Sequence, residues 1–394
     1  MFLNNSLTRQ GQNKNIYISN MRSYLSLICK RNRPTLRLQR YDLGRSGSSF
    51  YSSIYYNSTQ LMFSSNSAQK KNASQDDDDG ASGKPSIIAT NKHIMIDATV
   101  RSLGQVIFLN STNSSRAILA SLAIGDPTLA IYAALGACTA TFTAQSIIGL
   151  NQQSCSDGLL GYNGALIGCA MSVFGPSFAP LGVAYTIVGA SATSVFCASL
   201  NKALSQPQWT WSFNAVALTS LLRMKPLEMA ESMVPDVVAI NAASLCNAVF
   251  VGISQIFVVN NALTGVGIIG SIGMYSPKLA CHALGGSSLG CLVGILLGAD
   301  PSDVINGLWG YNSALASMAV GTFFVHSRES VYLSAGSAAA SAALFGALQP
   351  VFQMHGVPCL TLPFCAVTSA CYLLEGQVAG LKLAKEPHSP ERNA

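Results

Sequence analysis

The sequence predicts an all-α integral membrane protein built from two similar halves, and three observations lead to this fold class. Of its 394 residues, 49% are hydrophobic and only 10% are charged, whereas about 25% of the residues of a soluble domain carry charge. From about residue 116 onward, long apolar runs are separated by short Gly, Pro or Ser breaks. A run of ~20 apolar residues is enough for one membrane-spanning helix. Finally, three sequence landmarks occur twice in the same order.

Residues 1–92 are rich in Asn, Ser, Gln and Arg and predict a disordered basic tail. Residues 1–75 hold eleven Lys or Arg and one acid, Asp42, before the acidic run Asp76–Asp79. Such a tail favours the cytoplasmic side of a membrane, so we expect a plasma-membrane protein with a cytoplasmic N-terminus. An Arg-rich, acid-poor start also fits an organelle targeting segment, and an organelle membrane is the alternative. Nucleic acid is another interpretation of the basic tail, but we expect no such partner.

The first landmark, LGQVIFLN at 103–110, returns as ISQIFVVN at 253–260. The second, GLLGYNGAL at 158–166, returns as GLWGYNSAL at 307–315, and QWTWSFNAV at 208–216 is echoed by PCLTLPFCAV at 358–367. The three offsets are 150, 149 and 151 residues, and they are measured on the pairs Gln105/Gln255, Tyr162/Tyr311 and Thr210/Thr361. A shared offset of this kind indicates an internal duplication.

The duplication predicts a first membrane repeat at 93–222, a connection at 223–240, a second repeat at 241–378 and a short C-terminal tail at 379–394. Helical material lies at about 116–149 and 164–222 in the first repeat, and at about 262–298 and 313–374 in the second. Pro127 and Pro277 occupy corresponding places and predict a kink or a turn between helices. An odd number of membrane crossings per repeat would invert one repeat relative to the other.

The polar groups of the landmarks are costly in hydrocarbon unless they face protein or a water-filled path. Gln105 and Gln255 offer amide donors and acceptors, and Thr210 and Thr361 offer hydroxyls. These neutral groups suit a small polar solute that both donates and accepts hydrogen bonds, whereas ion permeation calls for charged rings or a carbonyl cage.

An aromatic ring and a leucine recur four residues apart in both repeats. On a helix each pair shares a face, so we expect Tyr162 with Leu166, and Tyr311 with Leu315, to form two walls of a narrow slot. Aromatic packing between helices is the alternative interpretation of these pairs.

An enzyme is not expected, because the sequence has no GxSxG, HExxH or phosphate-loop motif. We predict no catalytic residues, no cofactor and no metal site. The eleven cysteines show no CxxC pair and are expected to pack as small hydrophobic residues.

These motifs together resemble the urea transporter family over roughly residues 93–378. The family signature of the two halves resembles GLLGYNGALIG and GLWGYNSALASMAVG. Its pore segments resemble RSLGQVIFLN and GISQIFVVNN, and its Leu-Pro-x-x-Thr-x-Pro-Phe element resembles GVPCLTLPF. The resemblance implies two inverted homologous repeats, about ten transmembrane helices plus re-entrant pore helices, and a homotrimer in the lipid bilayer with one pore per subunit. It also implies passive urea transport through a slot.

On the pattern of that family, Gln105 and Phe108 stand at one mouth of the pore and Gln255 with Val258 at the other. Tyr162, Leu166, Tyr311 and Leu315 are then its walls, and Thr210 and Thr361 its central hydroxyls. The element QWTWSF departs from the family pattern, because Leu-Pro is missing before Thr210 and Ser212 replaces the later proline. These departures predict that any difference in solute selectivity from the family arises in the first half.

Two alternatives to a urea channel stay open at this point. One is a channel for another small neutral solute, such as a urea analogue, an amide, ammonia or water. The other is a membrane scaffold that keeps the fold without transporting a solute.

Overall fold

The computed structural model describes residues 87–150, 152–224 and 240–393, with side chains from residue 95 onward. Nearly all of the predicted tail 1–92 and most of the connection 223–240 lie outside these residues. The regular secondary structure of the described part is helical, apart from one isolated antiparallel bridge between Phe324 and Leu383. The all-α prediction is therefore confirmed.

Within the described residues, seven helices precede the connection. They are α1 (Ile87–Gln105), α2 (Thr112–Gly125), α3 (Pro127–Phe142, continued by a π-turn at Thr143–Ile148), α4 (Gln152–Ser156), α5 (Tyr162–Phe174), α6 (Ala179–Ala203) and α7 (Trp211–Arg223).

Seven helices follow the connection in the described range 240–393. They are α8 (Ala242–Ser254, continued by a 3₁₀ turn at Gln255–Phe257), α9 (Ala262–Tyr275), α10 (Pro277–Leu296), α11 (Pro301–Ile305), α12 (Tyr311–Phe323), α13 (Arg328–Gln353) and α14 (Leu362–Tyr372). From α2 and α9 onward, each helix begins 149 to 151 residues after its counterpart. Pro127 and Pro277 both stand at the first position of a helix, where the missing N–H costs no hydrogen bond.

The backbone repeats in its unusual conformations as well. Within the described ranges, the non-glycine residues with positive φ are Phe108 (66°), Trp209 (46°), Val258 (62°) and Leu360 (49°). Left-handed conformations are unfavourable for bulky side chains, so they persist only where the surrounding structure imposes them. These four residues form two pairs with offsets of 150 and 151 residues, and the same two chain reversals therefore occur in both halves.

In the part of the chain that the structure describes, four helices are long and apolar enough to cross a membrane on their own: Pro127–Ile148, Ala179–Ala203, Pro277–Leu296 and Arg328–Gln353. The bent pair α8 and α9, with an angle of 77° between them, passes the same test when it is counted as one span. Large apolar side chains point outward from this body, for example Ile131 (68% exposed) and Leu296 (74%). An apolar periphery of this extent belongs in lipid, and the chain is an integral membrane protein.

Small residues let the central helices approach closely. A Cβ on Gly136 of α3 would lie 2.0 Å from the carbonyl oxygen of Gly164 in α5, and a Cβ on Gly168 of α5 would lie 1.9 Å from the carbonyl oxygen of Tyr132. Close backbone packing of this type replaces the hydrophobic driving force that is missing in lipid. It fixes α5, and with it Tyr162 at its first position, against the longer helix α3.

The segment after α14 packs back onto the end of α12. The backbone N–H of Ala384 donates to the carbonyl of Phe323 at 2.9 Å, and Val325 N donates to Lys382 O at 2.9 Å. Asn393 Nδ2 donates to the carbonyl of Thr322 at 2.6 Å. The bonds to Phe323 and Thr322 satisfy carbonyl groups that the end of a helix leaves without partners.

Candidate functional site

The two predicted glutamines occupy equivalent positions, each at a helix end. Gln105 Nε2 donates to the carbonyl of Asp157 at 2.8 Å, and Gln255 Nε2 donates to the carbonyl of Asn306 at 2.9 Å. In each half the chain reverses three residues later, at Phe108 or Val258, through a left-handed conformation. Gln105 is buried, whereas Gln255 is partly exposed. The structure therefore gives both glutamines the same anchor but not the same surroundings.

The two predicted tyrosines hold the turns that precede α7 and α14. The hydroxyl of Tyr162 donates to the carbonyl of Trp209, and that of Tyr311 donates to the carbonyl of Leu360 at 2.7 Å. Trp209 and Leu360 are the left-handed residues of these turns. Each tyrosine thus stabilises the conformation that places the next residue, a threonine, at the start of a helix.

The two predicted threonines meet at the boundary between the halves. Thr210 and Thr361 precede the first residues of α7 and α14, and their hydroxyl oxygens lie 2.8 Å apart. Asn214 Nδ2 also donates to Thr361 Oγ1 at 2.9 Å. Because two helix N-termini converge here, their dipoles make the region electropositive. This arrangement opposes cations and favours an oxygen acceptor.

A cavity of about 110 Å³ lies on the first-half side of this threonine pair. Four predicted site residues line it: Gln105, Phe108, Tyr162 and Thr210. Its remaining lining residues are Val106, Ser154, Leu159, Leu160, Cys197, Asn201, Pro207, Gln208, Trp209, Phe323 and Phe364. Since none of these is Asp, Glu, Lys, Arg or His, the cavity wall carries no formal charge.

Aromatic rings from both halves form much of this wall. The ring centroids of Trp209 and Phe323 lie 5.0 Å apart, and those of Phe108 and Phe323 lie 5.9 Å apart, both in edge-to-face geometry. Phe364 of α14 lies 6.0 Å from Trp209. Edge-to-face packing holds the rings rigid, so the cavity has flat apolar surfaces beside its amide and hydroxyl groups.

The other predicted site residues lie elsewhere. Leu166 and Leu315 are each 1% exposed in the core, and neither lines the cavity. Thr361 is buried as the second member of the threonine pair. Tyr311 is buried against Phe345. Gln255 and Val258 lie on the second-half side, where Phe257 is fully buried. Their part in a continuous slot stays a prediction.

Sequence reasoning missed Gln208, Trp209 and Phe323 as residues of the cavity. Gln208 and Trp209 stand in the third landmark, directly before Thr210. Their place beside a predicted pore residue could have marked them as candidate lining residues. Phe323 ends α12, and nothing in the linear sequence places it beside Trp209.

The offset of 151 also aligns Pro207 with Pro358. The first-half element therefore keeps its early proline and differs at Gln206 and Ser212, which corrects the expectation that Leu-Pro is missing there.

The residues that could bind metal or form disulfides are dispersed. Within the described ranges, no group of three His, Cys, Asp or Glu side chains is placed to hold a metal ion. All ten described cysteines are free thiols. The chemistry on offer is hydrogen bonding by neutral groups between aromatic surfaces.

Comparison with known proteins places this geometry in a family. Residues 96–376 match the family model described as "Urea transporter". The chain is 30% identical over 318 residues to "Urea transporter 1" of Rattus norvegicus, an alignment that covers 75% of this chain and 82% of the relative. It is 31% identical over 297 residues to "Urea transporter 1" of Ovis aries, covering 71% and 77% of the two chains.

Proposed function

The chain belongs to the urea transporter family, and from this membership we propose that it is a passive channel for urea. In this proposal urea moves down its gradient through a narrow slot in each subunit. The observation that carries the proposal is the uncharged, aromatic-walled cavity that ends on the bonded pair Thr210 and Thr361. The family match alone does not distinguish a channel from a carrier, but this cavity suits a passive path for a flat neutral solute.

The chemistry of the cavity suits urea. Flat rings such as Phe108, Trp209 and Phe323 can contact the two faces of a planar molecule. Gln105, Tyr162 and Thr210 place amide and hydroxyl groups at the edge of the same space. Each hydrogen bond gained in the cavity replaces a bond to water at a net gain of only about 1 kcal/mol. Sites of this modest strength release the solute quickly.

The electrostatics of the cavity disfavour ions. The wall lacks charged side chains, and moving an ion out of water costs several kcal/mol without a partner charge. The converging N-termini of α7 and α14 add a positive potential that opposes ammonium and other cations. A neutral solute with an oxygen acceptor meets neither penalty.

The rest of the path follows from the repeat. We infer that the two halves are inverted repeats, that Gln255 and Val258 form the second mouth, and that Tyr162, Tyr311, Leu166 and Leu315 support the walls. Short helices such as α7 and α14 would then be re-entrant pore helices among about ten membrane spans. We further propose a homotrimer with one pore per subunit in the plasma membrane.

The test is urea flux into proteoliposomes that carry the purified full-length chain at a verified density. We expect urea permeability well above that of protein-free liposomes, without coupling to a proton or sodium gradient. Equal permeability in the two preparations would falsify the channel and favour a scaffold that keeps the fold. Flux of formamide, ammonia or water without urea flux would instead assign the path to another small neutral solute.

A further inference from the structure

Gln208 lines the cavity at a position where the two halves differ in side-chain chemistry. At the offset of 151 residues its counterpart is Cys359. The residues that follow, Trp209 and Leu360, have nearly the same φ, 46° and 49°. Because the backbone is the same, the difference between the halves is one of side-chain chemistry: an amide in the first half and a thiol in the second.

The orientation of the Gln208 amide is fixed by its neighbours. The single hydroxyl hydrogen of Tyr162 is committed to the carbonyl of Trp209, so this hydroxyl can only accept from Gln208. Gln208 therefore presents its NH₂ group to Tyr162, at 2.5 Å, and its carbonyl oxygen accepts from the hydroxyl of Ser212 at 2.6 Å. Both bonded neighbours hold the amide plane in place.

These two bonds use only half of the capacity of the amide. A primary amide has two N–H donors and two acceptor lone pairs. Among the described residues, one N–H and one lone pair of Gln208 have no protein partner. Gln208 is only 4% exposed and lines the cavity. A buried N–H without a partner is costly unless a ligand or water accepts from it.

We propose that Gln208 is a specificity-determining residue, and that it selects solutes carrying a primary amide edge. In such an edge an N–H donor and a C=O acceptor lie side by side, as they do in urea, formamide and acetamide. The remaining donor and acceptor of Gln208 can meet both groups of the solute at once. This inference rests on the proposed function and deepens it by naming the chemical class that the first half recognises.

The cavity has room for such a solute. Its volume of about 110 Å³ is several times the ~10–15 Å³ that a single water molecule requires. The rings of Trp209 and Phe323 bound the cavity, so a solute beside Gln208 would lie against a flat surface. Its amide edge can then point to Gln208, whereas an N,N-dialkylated amide has no N–H to offer.

The experiment measures inhibition of radiolabelled urea flux in proteoliposomes containing the full-length chain. Two competitors are used: acetamide, which has a primary amide edge, and N,N-dimethylacetamide, which has the carbonyl but no N–H. We expect acetamide to inhibit wild-type flux at a markedly lower concentration. In Gln208→Met, which keeps the length of the side chain but removes both polar groups, this preference should fall about two- to tenfold, the change that one lost hydrogen bond produces.

Two further variants make the result decisive. Gln208→Cys introduces the residue that the second half carries, and it replaces the methionine variant if the latter does not fold. Gln206→Met is the matched control: Gln206 stands two residues away and does not line the cavity, so its preference for acetamide should equal that of the wild type. Water permeability, measured in parallel, shows whether a variant has disturbed the whole path.

The outcomes separate the inference from the proposed function. Absence of urea flux in the wild type overturns both. Wild-type urea flux with equal inhibition by the two competitors overturns the role of Gln208 alone. A variant that lowers urea flux and water flux together, with the preference between competitors unchanged, shows that Gln208 only supports Tyr162, and it also overturns the inference.

Discussion

The hydroxyl oxygens of Thr210 and Thr361 lie 2.8 Å apart, although 151 residues separate them in the chain. Each threonine precedes the first residue of a helix, α7 or α14, and each is held by a turn with a left-handed residue before it. The contact is therefore the place at which the two halves join through equivalent residues. In the proposed channel, the solute path passes this pair.

Replacement of Thr361 by valine should lower urea flux strongly. The variant removes a hydroxyl at the join and leaves Thr210 and Asn214 without the partner that they share. We expect a loss of about 1–3 kcal/mol in stability and a roughly tenfold lower flux per incorporated protein, the effect of a barrier raised by about 1.4 kcal/mol. Proteoliposome flux and the apparent melting temperature in detergent measure the two effects.

Thr368→Val is the matched control for this experiment. Thr368 lies in the same helix, α14, and is 3% exposed, but its hydroxyl has no hydrogen-bond partner in the described part of the chain. Replacing an unpaired buried hydroxyl by a methyl group is close to neutral. Equal loss of flux in the two variants would show that the position in α14, and not the threonine pair, matters.

The two tyrosines should differ when their hydroxyls are removed, although they occupy equivalent places. In Tyr162→Phe, the carbonyl of Trp209 loses its tyrosine donor and Gln208 loses an acceptor. In Tyr311→Phe, the carbonyl of Leu360 still receives a bond from Asn312 Nδ2 at 3.1 Å. We expect about 2 kcal/mol of destabilisation in the first variant and under about 1 kcal/mol in the second.

Thermal unfolding in detergent, followed for both tyrosine variants at one protein concentration, checks this order. The apparent melting temperature of Tyr162→Phe should lie below that of Tyr311→Phe. The reverse order would mean that the tighter packing of Tyr311 against Phe345 outweighs the count of lost hydrogen bonds.

The sequence was sufficient to predict the helical class and the pairing of residues within each landmark. One offset relates Gln105 to Gln255, and the structure gives both the same carbonyl anchor. The cavity wall was not predictable in the same way, because Phe323 of one half lies against Trp209 of the other. Such contacts depend on how helices pack across the halves, and a repeat in sequence carries no information about that packing.

Asp157 offers a test of which atoms anchor the first mouth. The bond from Gln105 goes to the backbone carbonyl of Asp157, while the carboxylate accepts from Asn110 and Gln153. The second half has Asn306 at this place, and Asn260 bonds its amide oxygen at 3.0 Å. Since an amide serves there, Asp157→Asn should keep urea flux within about twofold of the wild type, a change of under about 0.5 kcal/mol.

Asp157→Ala is the contrasting variant, because it removes the acceptor and not merely the charge. We expect it to lower flux more than Asp157→Asn, by releasing the turn that presents the carbonyl to Gln105. If Asp157→Asn abolished flux while the alanine variant kept it, the carboxylate charge would have a role that this hydrogen-bond network does not explain.

The C-terminal segment should attach to the membrane body in a pH-dependent way through His388. Its ring stacks on Tyr275 with centroids 5.0 Å apart, Nδ1 lies 2.9 Å from the tyrosine hydroxyl, and Arg392 donates to Nε2 at 3.0 Å. Because Nε2 accepts from Arg392, the bound ring is neutral. Burial, with the positive charge of Arg392, lowers the pKa of His388 below its usual 6.5, against the opposing effect of Glu391.

A lowered histidine pKa stabilises the attached segment above pH 6.5, and this contribution is lost as the pH falls through the folded-state value. The pKa of Glu391 is also lowered. Burial raises this pKa, but the hydrogen bonds from Ser276 and from the backbone of Lys278 lower it below 4.5. The stability that Glu391 contributes is therefore lost only at a more acidic pH. Of these two groups, His388 is therefore the one whose contribution to stability changes between about pH 8 and pH 5. We expect the apparent melting temperature to drop as the pH is lowered over this range.

His388→Gln removes the titrating group and should flatten this dependence while lowering the melting temperature at neutral pH. Glu391→Gln is the control, because its titration lies below the range that is scanned, so its pH profile should keep the wild-type slope. An unchanged slope in His388→Gln would assign the acid sensitivity to another group. Since the segment is bonded to the backbone of Phe323, whose ring bounds the cavity, urea flux measured over the same pH range should fall together with the melting temperature.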